Sequence, residues 1–186
     1  MTRYSGSVAI GDVLVTREHG WPWADLIRLG AWMRNTPAVI NHVIIVHHMD
    51  EVGRLWGIEG RPGGVGWREL TGGGPLDWPT TNANNDQPKN KLQREAVAKI
   101  CEAALGTPYD WAGIGEDVRE ALGRWWVPQS TGEWSSGQTP GHVVCSSLAD
   151  LAYEKAGLAS PGGDARTRFT TPGDWDRFMI KKEWRS

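Results

Sequence analysis

The stretch GHVVCSSLADLAYEKAGL, residues 141–158, sets Cys145 at the head of an apolar helical repeat and closes on a glycine. Leu148, Leu151, Ala152 and Ala156 recur at steps of three and four, which predicts a helix with that face in the core. Gly157 suits the left-handed residue that ends such a helix. Cys145 lies ahead of the regular stripe, in the first turn, where unpaired backbone N–H groups favour a thiolate. The helix end alone is too weak to make that thiolate. An ordinary cysteine, with a pKa near 8.5, is only a few per cent ionised at neutral pH, and bringing it to about 4 needs roughly 6 kcal/mol. A helix terminus supplies only about 0.3–2 kcal/mol. The rest needs a nearby cation, and a histidinium is the usual one. Without such a partner, packing is the ordinary fate of a lone cysteine.

Five histidines are candidates. His19 lies in an HGWP turn and reads as a solvated loop residue. His47 and His48 are neighbours on a predicted strand, so they are expected to point to opposite faces and not to act together as a chelate. His142 sits three residues before Cys145, too close in the chain for a convenient in-line approach. His42 opens the strand NHVIIVHH and shares a face with Ile44 and Val46. A polar residue at the start of a buried strand face is either a satisfied structural histidine or a reacting group at the rim of a core. A Cys–His pair also needs a third group to orient the ring. Glu59, in LWGIEG on the predicted hairpin partner, is placed to reach His42; its bland reading is a solvated strand-end carboxylate.

Outward from these residues, VAIGDVLV (8–15) reads as a short strand broken by a Gly-Asp corner, and 22–34 as a helix opening on proline. Strands are expected at 41–48, 53–60 and 65–70, the first two forming a hairpin. Residues 71–90 are turn residues throughout, a long loop of a kind that is functional or disordered. KLQREAVAKICEAAL (91–105) reads as a helix with Leu92, Val97, Ile100, Ala104 and Leu105 on one side, ended by Gly106. Cys101 sits beside that stripe with no motif around it and reads as core. A short helix near 114–124 and a Trp-rich loop over 125–141 follow, and RFMIKKEW near the end reads as a closing strand.

The chain has 186 residues, a formal charge of −2, 39% apolar and 23% charged residues, and 12 tryptophans. That length suits one domain spanning 1–186, with 71–90 and 125–141 as its long loops. The charge and the absence of a Lys/Arg cluster argue against nucleic acid as a partner. No apolar run is long enough for a membrane span. The N-terminus, MTRYSGSVAIGDVLV, lacks a signal-peptide pattern, so synthesis in the cytoplasm is expected. Two cysteines without CxxC spacing give no zinc motif, and no metal or other cofactor is expected; whether the pair is bridged stays open. Ser146 and Ser147 lack the G-x-S-x-G elbow of a serine hydrolase. GRPGGVG and TGGGP lack the P-loop pattern. Trp125, Trp126 and Trp134 either pack or stack on sugar rings.

Two blocks of the sequence resemble a known family. ALGTPYDWAGIG (104–115), followed by VVCSSLADLAYEKAGL (143–158), resembles the NlpC/P60 superfamily of papain-like cysteine hydrolases. GDVLV, NHVIIV and LWGIEG are similar to that family's Gly-Asp strand, histidine strand and third-residue strand. His42 precedes Cys145, the reverse of the ordinary family order, and this resembles the circularly permuted branch that includes YaeF/YiiX-like proteins and relatives of lecithin–retinol acyltransferase. Val144 stands where ordinary members carry an acidic residue, Ala112 replaces a glycine, and the third residue is Glu59 rather than a histidine. The resemblance implies an α+β, permuted papain-like fold, with an antiparallel β-sheet packed against helices that include the nucleophile helix. It implies Cys145 as nucleophile, His42 as base, Glu59 as the group orienting it, and Tyr109 lining the site near the oxyanion or substrate. It further implies hydrolysis of an amide bond through an acyl-thioenzyme, most naturally in a peptide or peptidoglycan-like substrate, as in a bacteriophage endolysin or virion-associated wall hydrolase. Lipid acyl chemistry, or a binding module that keeps the fold without turnover, are the alternatives.

Overall fold

The computed structural model describes residues 9–17, 40–70, 81–82, 90–111, 143–161 and 170–183. Five strands, β1 (Val13–Thr16), β2 (His42–Met49), β3 (Leu55–Arg61), β4 (Gly64–Glu69) and β5 (Thr81–Asn82), pair antiparallel in the order β4-β3-β2-β1-β5. Three helices accompany them: α1 (Lys91–Ala103), α2 (Cys145–Lys155) and α3 (Pro172–Glu183). The class is mixed α+β. The expected helices at 22–34 and 114–124, and the Trp-rich loop, lie outside the described residues.

β-Branched runs make the sheet. VLVT and HVIIV pair residue for residue, Val13 with Ile45 and Val15 with Val43, and both faces of this centre are buried, so apolar residues run on without alternation. One face carries Val13, Val15, Val43, Ile45 and Ile58, packed against Val97 and Cys101 of α1, Leu148, Ala149, Ala152 and Tyr153 of α2, and Trp175 of α3. The other carries Leu14, Ile44, Val46 and Leu70. GRPGG forms the tight β3–β4 connection, with Arg61 paired to Gly64.

The helices follow their sequence signals with two shifts of stripe. α2 buries Cys145, Leu148, Ala149, Ala152 and Tyr153, so Leu151, expected in the core, is 37% exposed. Small residues on the buried stripe let α2 lie close to the sheet, and Gly157, at φ +70°, closes it as expected. In α1 the buried residues are Val97, Ala98 and Cys101; Leu92, also expected inside, is 76% exposed in the first turn. Asn90 caps α1 reciprocally with Gln93.

Two expectations are corrected. The loop 71–90 contributes β5, whose two residues pair with Leu14 and Val15. RFMIKKEW is not a strand; from Arg177 to Glu183 it belongs to α3. The reason stands just upstream in TTPGD: the Thr171 hydroxyl accepts from Asp174 N (3.1 Å), the Asp174 carboxylate accepts from Thr171 N (2.9 Å), and Pro172 takes the first helical position. A capped start with a fully buried Trp175 outweighs the strand propensity of Phe178 and its neighbours.

Candidate active site

His42 is the first residue of β2 and Glu59 the antepenultimate residue of β3. The register pairs Ile44 with Glu59, so Glu59 shares the Ile44 face, and alternation puts His42 there too. Their side chains meet: His42 Nε2 donates to Glu59 Oε2 at 2.6 Å. Because a carboxylate only accepts, this bond fixes the proton on Nε2 and leaves the lone pair of a neutral ring on Nδ1. Glu59 is fully buried. Two guanidinium groups share it: Arg68 Nη1 donates to Oε2 at 3.0 Å, and Arg61 Nε donates to Oε1. A buried charge needs such partners, and the same two cations hold the carboxylate in place for the imidazole. Thr16, paired with His42 across β1 and β2, adds a buried hydroxyl without a hydrogen-bond partner among the described residues.

Cys145 opens α2, as expected, and is an unbridged thiol, as is Cys101. A Cβ placed on Gly60 would stand 3.1 Å from Cys145 N and 3.3 Å from its Cα, so the head of α2 lies directly on the strand residue after Glu59. The Cys145 side chain is 2% exposed and packs with Val43, Ile45 and Ile58, on the helical face. The structure thus joins His42 to Glu59 directly, and brings Cys145 to the same end of the sheet from its other face. His42 begins β2 and Arg61 ends β3, so both lie at this end of the sheet.

Tyr109 is buried and forms a parallel bridge with Val143, two residues before Cys145; its ring leans on Trp111 with centroids 5.0 Å apart. Asp110 N donates to the Val143 carbonyl (3.2 Å), which fastens the 104–111 segment to the approach to α2. Ser146 and Ser147 are structural: the Ser146 hydroxyl donates to the Thr170 carbonyl, and the Ser147 hydroxyl accepts from Val144 N at 3.0 Å. Cys101 is a core thiol, and burial pushes its pKa up to about 12. His19 and His142 lie outside the described residues.

The expectation for His47 and His48 is corrected. The β2–β3 register shifts between Val46 and His48, so His47 is an extra residue and both rings end on one side, their Nδ1 atoms 3.0 Å apart.

Sequence reasoning missed both arginines on Glu59. Arg61 was legible, since i and i+2 on a strand share a face. Arg68 depended on the β3–β4 register, which pairs it with Gly57.

Comparison of the chain with protein-family models, with curated proteins and with solved structures gave no match.

Proposed function

We propose that this chain is a cysteine hydrolase that cleaves an amide bond, with Cys145 as nucleophile, His42 as base and Glu59 as the group that orients it. The observation that carries the reading is the buried His42–Glu59 hydrogen bond at 2.6 Å, which leaves Nδ1 as the ring's basic atom. The head of α2 against Gly60 supports it, because the Cys145 backbone lies on the strand residue that follows Glu59. In this reading Nδ1 takes the thiol proton, and the sulfur forms a bond to the carbonyl carbon. The carbonyl π electrons pass to its oxygen, which the N–H groups at the head of α2 face. The C–N bond then breaks as Nδ1–H protonates the leaving amine, and water repeats the cycle on the thioester. By its family resemblance the favoured substrate is a cell-wall peptide. Tyr109, behind the approach to Cys145, belongs to the substrate side.

A non-catalytic module is the second reading, favoured by the burial of the Cys145 side chain among core residues. Iodoacetamide labelling at pH 6 and pH 7.5, with mass spectrometry, separates the two. The hydrolase reading expects Cys145 to react at least tenfold faster than Cys101, and faster than in His42→Ala. Zymography on purified cell wall beside Cys145→Ala then tests the substrate. Equal labelling of both thiols would leave only the module.

A further inference from the structure

The bulge at His47 gathers a second polar cluster at the far end of β2. After it, His48 pairs with Trp56, on the Ile58 side of β3, so His48 turns to the helical face that His47 already occupies by alternation from Ile45. The rings stand nearly perpendicular, at 88°, with Nδ1 to Nδ1 at 3.0 Å. Two nitrogens bound to one zinc-like ion at about 2.0–2.1 Å and a tetrahedral angle stand about 3.3 Å apart, so a modest rotation of the rings suffices. Behind the pair, Glu102 of α1 holds Oε2 3.7 Å from His47 Nε2, and that buried nitrogen has no hydrogen-bond partner among the described residues. A carboxylate at this nitrogen favours Nε2–H, which turns the Nδ1 lone pair of His47 toward His48.

Two tryptophans line the pair. Trp67 meets both rings edge-on, with centroids 4.7 Å from His47 and 5.5 Å from His48, and Trp56 stacks parallel to His48 at 6.5 Å. Trp56 is itself fixed by Asp50, which accepts from its Nε1 at 3.1 Å while receiving the Arg54 N–H and guanidinium. Both histidines are partly exposed, so an ion reaches them from solvent.

We infer that His47 and His48 form a binding site for a borderline divalent cation of the zinc, nickel or copper class, each ligating through Nδ1 with Glu102 orienting His47. In the resting pair one Nδ1 must carry a proton, and the Glu102 side favours placing it on His48. Binding moves that proton to His48 Nε2 through solvent, with no net release. Among the described residues no group of three or more His, Cys, Asp or Glu side chains is arranged around an ion, so two protein nitrogens hold it and water fills the other positions. Such a site exchanges its ion readily.

The test is calorimetric titration of the untagged protein with nickel chloride in a non-chelating buffer at pH 7.5, with folding followed by circular dichroism. Wild type is expected to take up one ion that His48→Gln and His47→Gln each bind at least tenfold more weakly, with Glu102→Gln weakened several-fold. The double histidine variant should lose that ion. Uptake by the double variant equal to wild type, or none by wild type, overturns the site. Should His47→Gln fail to fold, His48→Gln decides alone, and unchanged affinity there overturns the site equally.

Discussion

Glu59 concentrates the electrostatics of the described residues: one fully buried carboxylate answers His42, Arg61 and Arg68 together. Glu59→Gln removes the carboxylate that these three groups share among the described residues and sets a neutral amide against the guanidinium groups. Removing one partner of a buried ion pair costs about 3–5 kcal/mol, and the partial exposure of Arg61 reduces the loss toward the lower figure. At roughly 2–4 °C per kcal/mol for a chain of this size, thermal unfolding should fall by about 6–12 °C. A drop under about 2 °C would mean that water replaces the carboxylate without loss. His42 and Glu59 were legible as candidates, one polar residue heading a β-branched strand and another in its hairpin partner, and the β2–β3 register brought them together. The arginine on β4 was not, because a residue's cross-strand neighbours depend on turn geometry that the side-chain pattern leaves open.

α2 meets the rest of the fold at both ends as well as along its buried face. At its head Gly60 leaves room for the Cys145 backbone; a methyl group there would stand 3.1 Å from a backbone nitrogen that has no rotamer to yield. Gly60→Ala is therefore expected to destabilise by about 1–3 kcal/mol, measured by urea unfolding, as overpacking does elsewhere in cores. A neutral result would show that the helix slides freely over the sheet. Toward its end the Tyr153 hydroxyl donates to the Gly11 carbonyl at 2.9 Å and ties α2 to the corner before β1. Tyr153→Phe should cost about 1 kcal/mol by the same measurement, with a larger loss pointing to a rearranged corner. The α2 motif was legible down to its closing glycine. Its buried stripe was legible at Leu148 and Ala152 but not at its margin, because three- and four-residue spacing fits neighbouring faces, and the packing took in Ala149 and Tyr153 in place of Leu151. The tail shows the converse, a strand expected over RFMIKKEW (177–184) overruled by a cap seven residues upstream of Phe178 at Thr171.

Across the whole molecule, pH acts through buried groups on the helical face. Cys101 stays protonated in the folded state up to about 12, against a usual 9, because burial penalises the thiolate. The unfolded chain gives up this proton first, so stability is complete below pH 9 and falls between 9 and 12, by up to about 1.4 kcal/mol per unit. Cys101→Ala should lower stability at pH 7 by opening a cavity, yet flatten this alkaline slope; parallel slopes would place the alkaline loss elsewhere. On the acid side His47 is held below its usual value by burial and by His48, against the pull of Glu102. The unfolded chain therefore takes the proton first as pH falls below about 6.5, and that region should loosen there. From the sequence alone came the β-branched strands, the helices α1 and α2 with their closing glycines, and the residues worth suspecting, because these are written in local spacing and side-chain chemistry. Tertiary structure decided which faces met: that Glu59 is clamped by two arginines, that the head of α2 lies on Gly60 beside Glu59, and that one extra residue in β2 turns two histidines toward each other. Each of these depends on strand register and helix placement, which are set by contacts between residues far apart in the chain.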